Sequence, residues 1–400
     1  GVGYFVDTAT TGAVDVTLPA SPAAGDVVGF SDYANNFATA NCGLLRNGKN
    51  IGGAAINGNL STDGVAVTLV YVDVAKGWIV TDSGNQTDAP TEEYIVATGG
   101  CITTCGNYKV HTFLSPATFN VTAAGNPAGS NTAEYLVIGG GGAGGGMHIG
   151  GGGGAGGYRE SSGATAGSYT VSPLGSGVSG LPLSVQGYPI TVGGGGTGNN
   201  QAGATDSTSG LASTFDTITS AGGGFGKQDQ TNPAGTGSGE PGGSGGGANG
   251  GGGSNTGPQA QVKGTGNTPP VSPPQGNDGG NGACAAAGGG GGATTAGSAG
   301  TAPPNTGGNG GAGATSNINF SPVTRAGGGG GNAYLTCNQG SGGPGGGGNA
   351  NKGATPAGAG NGAAGTVNTG SGGGGTDSRP GANYGGAGGS GIVIIRYKYQ

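Results

Sequence analysis

The chain has 400 residues, of which 108 are glycine and only 8% are charged, which excludes an ordinary globular core over the whole length although two or three domains would fit. The formal net charge of −6 comes entirely from residues 1–133, where ten acids face Arg46, Lys49, Lys76 and Lys109, while residues 134–400 balance eight acids with eight bases. No basic stripe is there to neutralise a phosphate backbone and no run approaches the roughly 20 apolar residues that span a bilayer, so neither nucleic acid nor membrane insertion is expected.

Gly1 is not preceded by methionine or a signal-type segment and reads as an internal point of a longer chain. Residues 1–85 alternate apolar and polar side chains in short runs, as in Val14-Asp15-Val16-Thr17-Leu18 and Val65 to Val72, which predicts strands. Turn signals divide them: Pro19, Pro22 and Gly25, then Asn47-Gly48, Asp63-Gly64 and Lys76-Gly77. The expectation is a small all-β module with Trp78, the only tryptophan, as a packing residue. Thr81 to Thr91 reads as a polar linker, and residues 86–133 as linker plus a short β unit carried by Glu93-Tyr94-Ile95-Val96-Ala97 and by residues 106–122.

From Glu134 the pattern changes. Tyr135-Leu136-Val137-Ile138 runs directly into GGGGAGGG (139–146), ten further glycine clusters follow at uneven spacing, and the chain returns to apolar Ile392-Val393-Ile394-Ile395-Arg396-Tyr397. Glycine fills 90 of the 267 positions in 134–400 but with no fixed three-residue repeat, which rejects collagen. A flexible linker would not be bracketed by two β-branched strands that each need a buried partner, and pairing 134–138 with 392–397 would close a domain. The glycine runs are therefore expected as a bundle of polyglycine-II helices, three residues per turn, whose N–H and C=O groups bond sideways to neighbouring helices. Ala143, Ala155 and Ala248 are expected on its outer faces. The fold class is thus all-β N-terminal modules followed by a glycine-rich polyglycine-II helix bundle closed by short β-strands, with little or no α-helix.

Motifs of catalysis and cofactor binding are weak. GxGxxG matches are numerous where one residue in three is glycine, and none opens a helix after a strand. Gly226-Lys227 lacks both the first glycine and the Ser/Thr of a phosphate loop, since Ala221 and Gln228 stand there. CxxxC at Cys101 and Cys105 has no further ligands at metal spacing, leaving a local disulfide or two free thiols, while Cys284 and Cys337 flank glycine clusters and could pair across the bundle. His111 and His148 are the only histidines, and Asp206, Asp216, Asp229, Glu240 and Asp278 are isolated acids. No enzyme, cofactor or metal is expected. Tyrosine, phenylalanine and arginine on the inter-run loops offer a binding surface instead, because such side chains concentrate interface energy. The candidates are Tyr158, Arg159, Tyr188, Phe225, Arg325, Tyr334 and Tyr384, each of which can equally be read as a packing residue capping the bundle.

The segments EYLVIGGGGAGG (134–145), GGGGAGGYRE (151–160), YPITVGGGG (188–196) and GGSGIVIIRY (388–397) resemble the glycine-rich domain of phage tail-fibre proteins, and GNYKVHTFLSPATFNVT (106–122) resembles the β segment that precedes it. VDVTLPASPAAGD (14–26) and LRNGKNIGG (45–53) look like a β module of marine and cyanophage fibres. The resemblance implies a virion tail-fibre adhesin that binds a host cell-surface glycan or outer-membrane protein through its loops, with a trimeric shaft and other tail-fibre or baseplate proteins as partners. A purely structural fibre component is the alternative, and a polysaccharide depolymerase the third. Tip adhesins of T-even-type phages share a polyglycine sandwich, but the long loop NTPPVSPPQGND (267–278) departs from them, so their receptor contacts do not carry over.

Overall fold

The computed structural model describes residues 1–85, 92–146, 149–163, 169–175, 180–199, 207–228, 237–251, 261–334, 338–351, 360–377 and 383–400. Two compact units divide at Glu92/Glu93.

In the first unit the strands are β1 (Val2–Val6), β2 (Val14–Thr17), β3 (Val27–Asp32), β4 (Cys42–Leu45), β5 (Gly58–Leu60), β6 (Val65–Asp73) and β7 (Gly77–Asn85). They form a sheet in the order β1-β3-β6-β7 and a second in the order β2-β4-β5. One helical turn, α1 (Thr8–Thr11), interrupts them, because the Asp7 carboxylate accepts the N–H groups of Ala9 and Thr10 as an N-cap. The core gathers Phe30, Phe37, Leu69, Tyr71 and Trp78, the last fully buried and edge-on to Tyr71 at 5.5 Å. Asn47 and Gly48 both take positive φ, 45° and 81°, at a turn closed by Lys49 N–H on Arg46 O. Asp32, 4% exposed, accepts the N–H groups of Asn36, Phe37 and Gly64 and so pins two loops. The expected linker begins later than its composition suggests: β7 continues through Asp82-Ser83-Gly84, paired in register with β6, and residues 86–91 lie outside the described ones.

The second unit carries β8 (Ile95–Thr98), β9 (Cys101–Cys105), β10 (Tyr108–Phe113), β11 (Ala117–Ala124), β12 (Thr132–Ile138), β13 (Tyr158–Glu160), β14 (Leu181–Pro182), β15 (Gly187–Thr191), β16 (Ser213–Phe215), β17 (Ile218–Ser220), β18 (Ala314–Ser316), β19 (Val323–Arg325) and β20 (Ile392–Lys398). One sheet runs β13-β12-β20-β10-β9 with β14 on β12, another β17-β16-β15-β11-β8, and β18-β19 is a hairpin. The expected pairing of the bracketing strands is present, antiparallel from Glu134↔Arg396 to Ile138↔Ile392. Residues 86–133 are expected as a linker and short β unit, and the strands they hold join both large sheets, since β10 hydrogen-bonds β20 and β11 hydrogen-bonds β15.

Both faces of the β12/β20 pair are covered, which is why these strands read as continuous apolar runs. Tyr135, Val137, Val393, Ile395 and Tyr397 face the second sheet and meet Phe119, Tyr188, Ile190 and Phe215. Leu136, Ile138, Ile392 and Ile394 face the other way, toward Ala155, Ala293, Ala314, Ile318 and Ala326.

The glycine runs are ordered by a hydrogen-bond pattern with period three. Gly139, Gly142 and Gly145 donate to Gly157, Gly154 and Gly151; Gly140 and Ala143 donate to Leu211 and Thr208; Gly141 and Gly144 donate to Gly389 and Gly386, all at 2.8–3.1 Å. Successive residues of one run thus address three different neighbours, as an extended helix with three residues per turn requires. Residues 151–157 lie at the centre. They donate to 221–227, 288–291 and 370–373, and accept from 139–145, from Ser244 and Gly247, and from Gly329. Six neighbours leave no room for a side chain at the glycine positions: a Cβ on Gly152 would lie 2.1 Å from Gly329 O and one on Gly156 2.0 Å from Gly139 O. The same packing corrects the expectation for the alanines. Ala143, Ala155 and Ala248 are each 0% exposed, because a rod with neighbours on every side has no outer face.

Candidate functional site

The alternation of β20 places Arg396 on the face shared by Ile392 and Ile394, where it is 3% exposed. Its guanidinium carbon lies 4.5 Å from the ring centre of Tyr108, 5.1 Å from that of Tyr169 and 4.8 Å from that of Phe320. Each contact is within cation–π range. Nη1 donates to Ile318 O at 3.4 Å, and Nε is buried without a hydrogen-bond partner. Burial lowers the guanidinium pKa, with Tyr108, Tyr169, Cys105 and Glu134 acting in the opposite sense, yet arginine remains a cation. Glu134 is its register partner on β12, itself 0% exposed and accepting Gly163 N–H at 3.1 Å.

Above Arg396 opens a cavity of about 530 Å³. Tyr108, Tyr169 and Phe320 form its aromatic lining, and Cys105, Gly106, Asn107, Thr170 and Asn317 complete it. Phe320 stands at φ 70° in the turn between β18 and β19, its N–H donated to Asn317 O at 2.9 Å. A bulky side chain in the left-handed region costs conformational energy, so the hairpin holds this ring against Arg396 under strain.

A second polar cluster lies in the interior. Glu160, 0% exposed, accepts Tyr158 O–H at 3.1 Å and Ser172 N–H at 2.9 Å on one oxygen and Ser316 O–H on the other, with Arg325 near enough to interact electrostatically. Desolvation raises the Glu160 pKa and these hydrogen bonds oppose it. The cluster ties β13 to the β18–β19 hairpin that presents Phe320.

The sequence candidates separate in consequence. Tyr158, Tyr188 and Arg325 are 1%, 3% and 5% exposed, and the expectation that they are surface contacts is corrected: they pack inside, Tyr188 in the sandwich core and the other two around Glu160. Arg159 is half-buried opposite Val137, Phe225 is half-buried beside Lys227 Nζ at 5.8 Å, and Tyr334 is half-buried against Ile149, Ala285 and Ala287. Tyr384 is 45% exposed. The Pro-rich loop folds back on itself, Asn267 Oδ1 accepting Val271 N–H and Gln275 N–H. Sequence reasoning missed Tyr108, Tyr169, Phe320 and Arg396, although a lone arginine on the Ile392/Ile394 face of an apolar strand was a signal.

Cys101 and Cys105 are exposed free thiols at the two ends of β9. Four residues of extended strand separate their Cα atoms by about 13 Å, whereas a disulfide needs less than about 7 Å. The local disulfide is thereby excluded while β9 is formed. Cys284 is also free and exposed, whereas Cys337, His148, Asp206 and Asp229 lie outside the described residues. Asp278 is paired with Lys263 at 2.9 Å. Among the described residues no group of three or more His, Cys, Asp or Glu is placed to hold a metal ion, and no helix is long and apolar enough to cross a membrane.

An all-β unit closed on interlocked glycine runs defines the class of protein, and the family comparison agrees: the chain belongs to the glycine-rich domain family, whose match covers residues 115–398. No curated protein matches the chain.

Proposed function

We propose that the chain is a phage tail-fibre adhesin of the virion that attaches to a host cell-surface glycan or outer-membrane protein, acting by binding and not by catalysis. The observation that carries this reading is the period-three bonding around residues 151–157, which makes the glycine-rich half a rigid scaffold and not a tether. The same unit carries the aromatic cleft beside β10 and β20 and the exposed Tyr384. A trimeric assembly with other tail-fibre or baseplate proteins would let weak single-site contacts add by multivalency. The alternative is a purely structural fibre component. Adsorption of the labelled full chain to candidate host cells tests the choice. Saturable binding that competes with virion adsorption supports the adhesin, and its absence across susceptible hosts leaves the structural role.

A further inference from the structure

We propose that the Arg396 cleft binds a carboxylate-bearing sugar of the uronic-acid class, with the carboxylate on the guanidinium edge and the ring against the aromatic lining. This rests on the adhesin reading and names its ligand chemistry.

The rings of Tyr108, Tyr169 and Phe320 surround the guanidinium carbon at 4.5–5.1 Å. A guanidinium stacked on an aromatic ring keeps its in-plane N–H groups for hydrogen bonding, the geometry that suits a carboxylate. Arg396 makes one long hydrogen bond, to Ile318 O at 3.4 Å, so most of its donor capacity is unused. At 3% exposure the charge is poorly screened, and an anion reaching it gains more than one on an open surface. Glu134, its cross-strand neighbour, offsets part of that charge while its own carboxylate takes Gly163 N–H. Modest single-site affinity is the consequence, in keeping with a multivalent fibre.

A sugar, more than a simple acid, fits the remaining features. Pyranose rings present flat C–H faces that pack on aromatic rings and hydroxyls that need polar partners, and Asn107, Thr170 and Asn317 stand beside those rings. The cavity of about 530 Å³ falls within the range of small-molecule sites, roughly 300–1,000 Å³. Phe320 is held at φ 70°. Strain of that kind persists where the side chain's placement matters.

The test is calorimetric titration of the full chain with methyl glucuronoside, its methyl ester, methyl glucoside and acetate. The expected result is that the glucuronoside binds at least about tenfold more tightly than the ester or glucoside, the size of one charge-assisted contact, and more tightly than acetate. Phe320→Gly, which removes the ring packed on Arg396 while relieving the positive φ, is expected to weaken glucuronoside binding by a similar factor in a chain that still melts cooperatively. Equal binding of acid and ester, binding of acetate as tight as the sugar, no binding at all, or no effect of Phe320→Gly would each overturn the proposal. Cell adsorption without glucuronoside affinity removes the cleft and keeps the adhesin; glucuronoside affinity without adsorption keeps the cleft and removes the adhesin.

Discussion

Gly142 donates its N–H to Gly154 O at 2.8 Å, and three residues to either side the same two runs meet again, Gly139 with Gly157 and Gly145 with Gly151. Such spacing is open only to residues without a Cβ. A methyl on Gly154 would lie 2.3 Å from Ser244 O, and backbone on both sides prevents it from yielding. Gly154→Ala is therefore expected to destabilise residues 93–400 by about 3 kcal/mol or more, through overpacking together with lost hydrogen bonds. Gly194 is the control, since a methyl there would meet nothing within 4 Å and its φ is not positive. Gly194→Ala should raise stability by roughly 0.4–1 kcal/mol, and urea denaturation of both variants measures the contrast.

The interior polar cluster makes a second prediction. Glu160 answers three donors and offsets Arg325. Glu160→Ala removes that acceptor and leaves the buried donors of Tyr158, Ser172 and Ser316 unpaired, at a cost of about 1–3 kcal/mol. A loss under about 1 kcal/mol in denaturant melts would show that solvent reaches the cluster.

His111 sets a pH dependence. It is 0% exposed, with Nδ1 2.7 Å from Gly99 O and Nε2 2.9 Å from Tyr397 Oη. A carbonyl only accepts, so Nδ1 carries the proton and Nε2 accepts from the tyrosine hydroxyl. Burial lowers its pKa below the ordinary 6.5, although the Gly99 bond opposes this. Between the lowered folded value and 6.5 the unfolded chain binds more protons, so stability is fully present above about 6.5 and is lost as pH falls through that window. His111→Phe should lose less stability than the parent chain between pH 7 and pH 5, measured by thermal melts at each pH. Tyr397→Phe should cost about 0.5–1.5 kcal/mol at neutral pH.

Thiol chemistry separates the cysteines. Cys101, Cys105 and Cys284 are exposed, while Cys42 is 0% exposed in the first core with its pKa raised by burial. A charged maleimide should label the first three in the folded protein and Cys42 only after unfolding, read by peptide mass.

Much of this architecture was legible in sequence for specific physical reasons. Val65 to Val72 alternates because one face of β6 is buried, and Ile392 to Ile395 does not because both faces of β20 are. Glycine density marked the runs, since only a residue without Cβ lets backbones bond on every side. What escaped was set by three-dimensional neighbours. Asp82-Ser83-Gly84 carries linker composition and is a strand because β6 supplies its partners. The interior place of Ala155 depends on six neighbouring segments that no local pattern encodes. Tyr158 and Tyr188 looked like loop aromatics, yet each alternates with a second buried residue, Glu160 and Ile190, which the short strands β13 and β15 explain. The cleft was illegible because Tyr108, Tyr169, Phe320 and Arg396 are far apart in the chain and meet only through β10, β20 and the β18–β19 hairpin.

Amide hydrogen exchange across residues 139–146 and 151–157 of the full chain tests the ordered glycine scaffold most directly. Protection of these amides comparable to that of β12 and β20 is the predicted result. Exchange at the rate of an unstructured chain would contradict it and reduce the glycine-rich half to a tether.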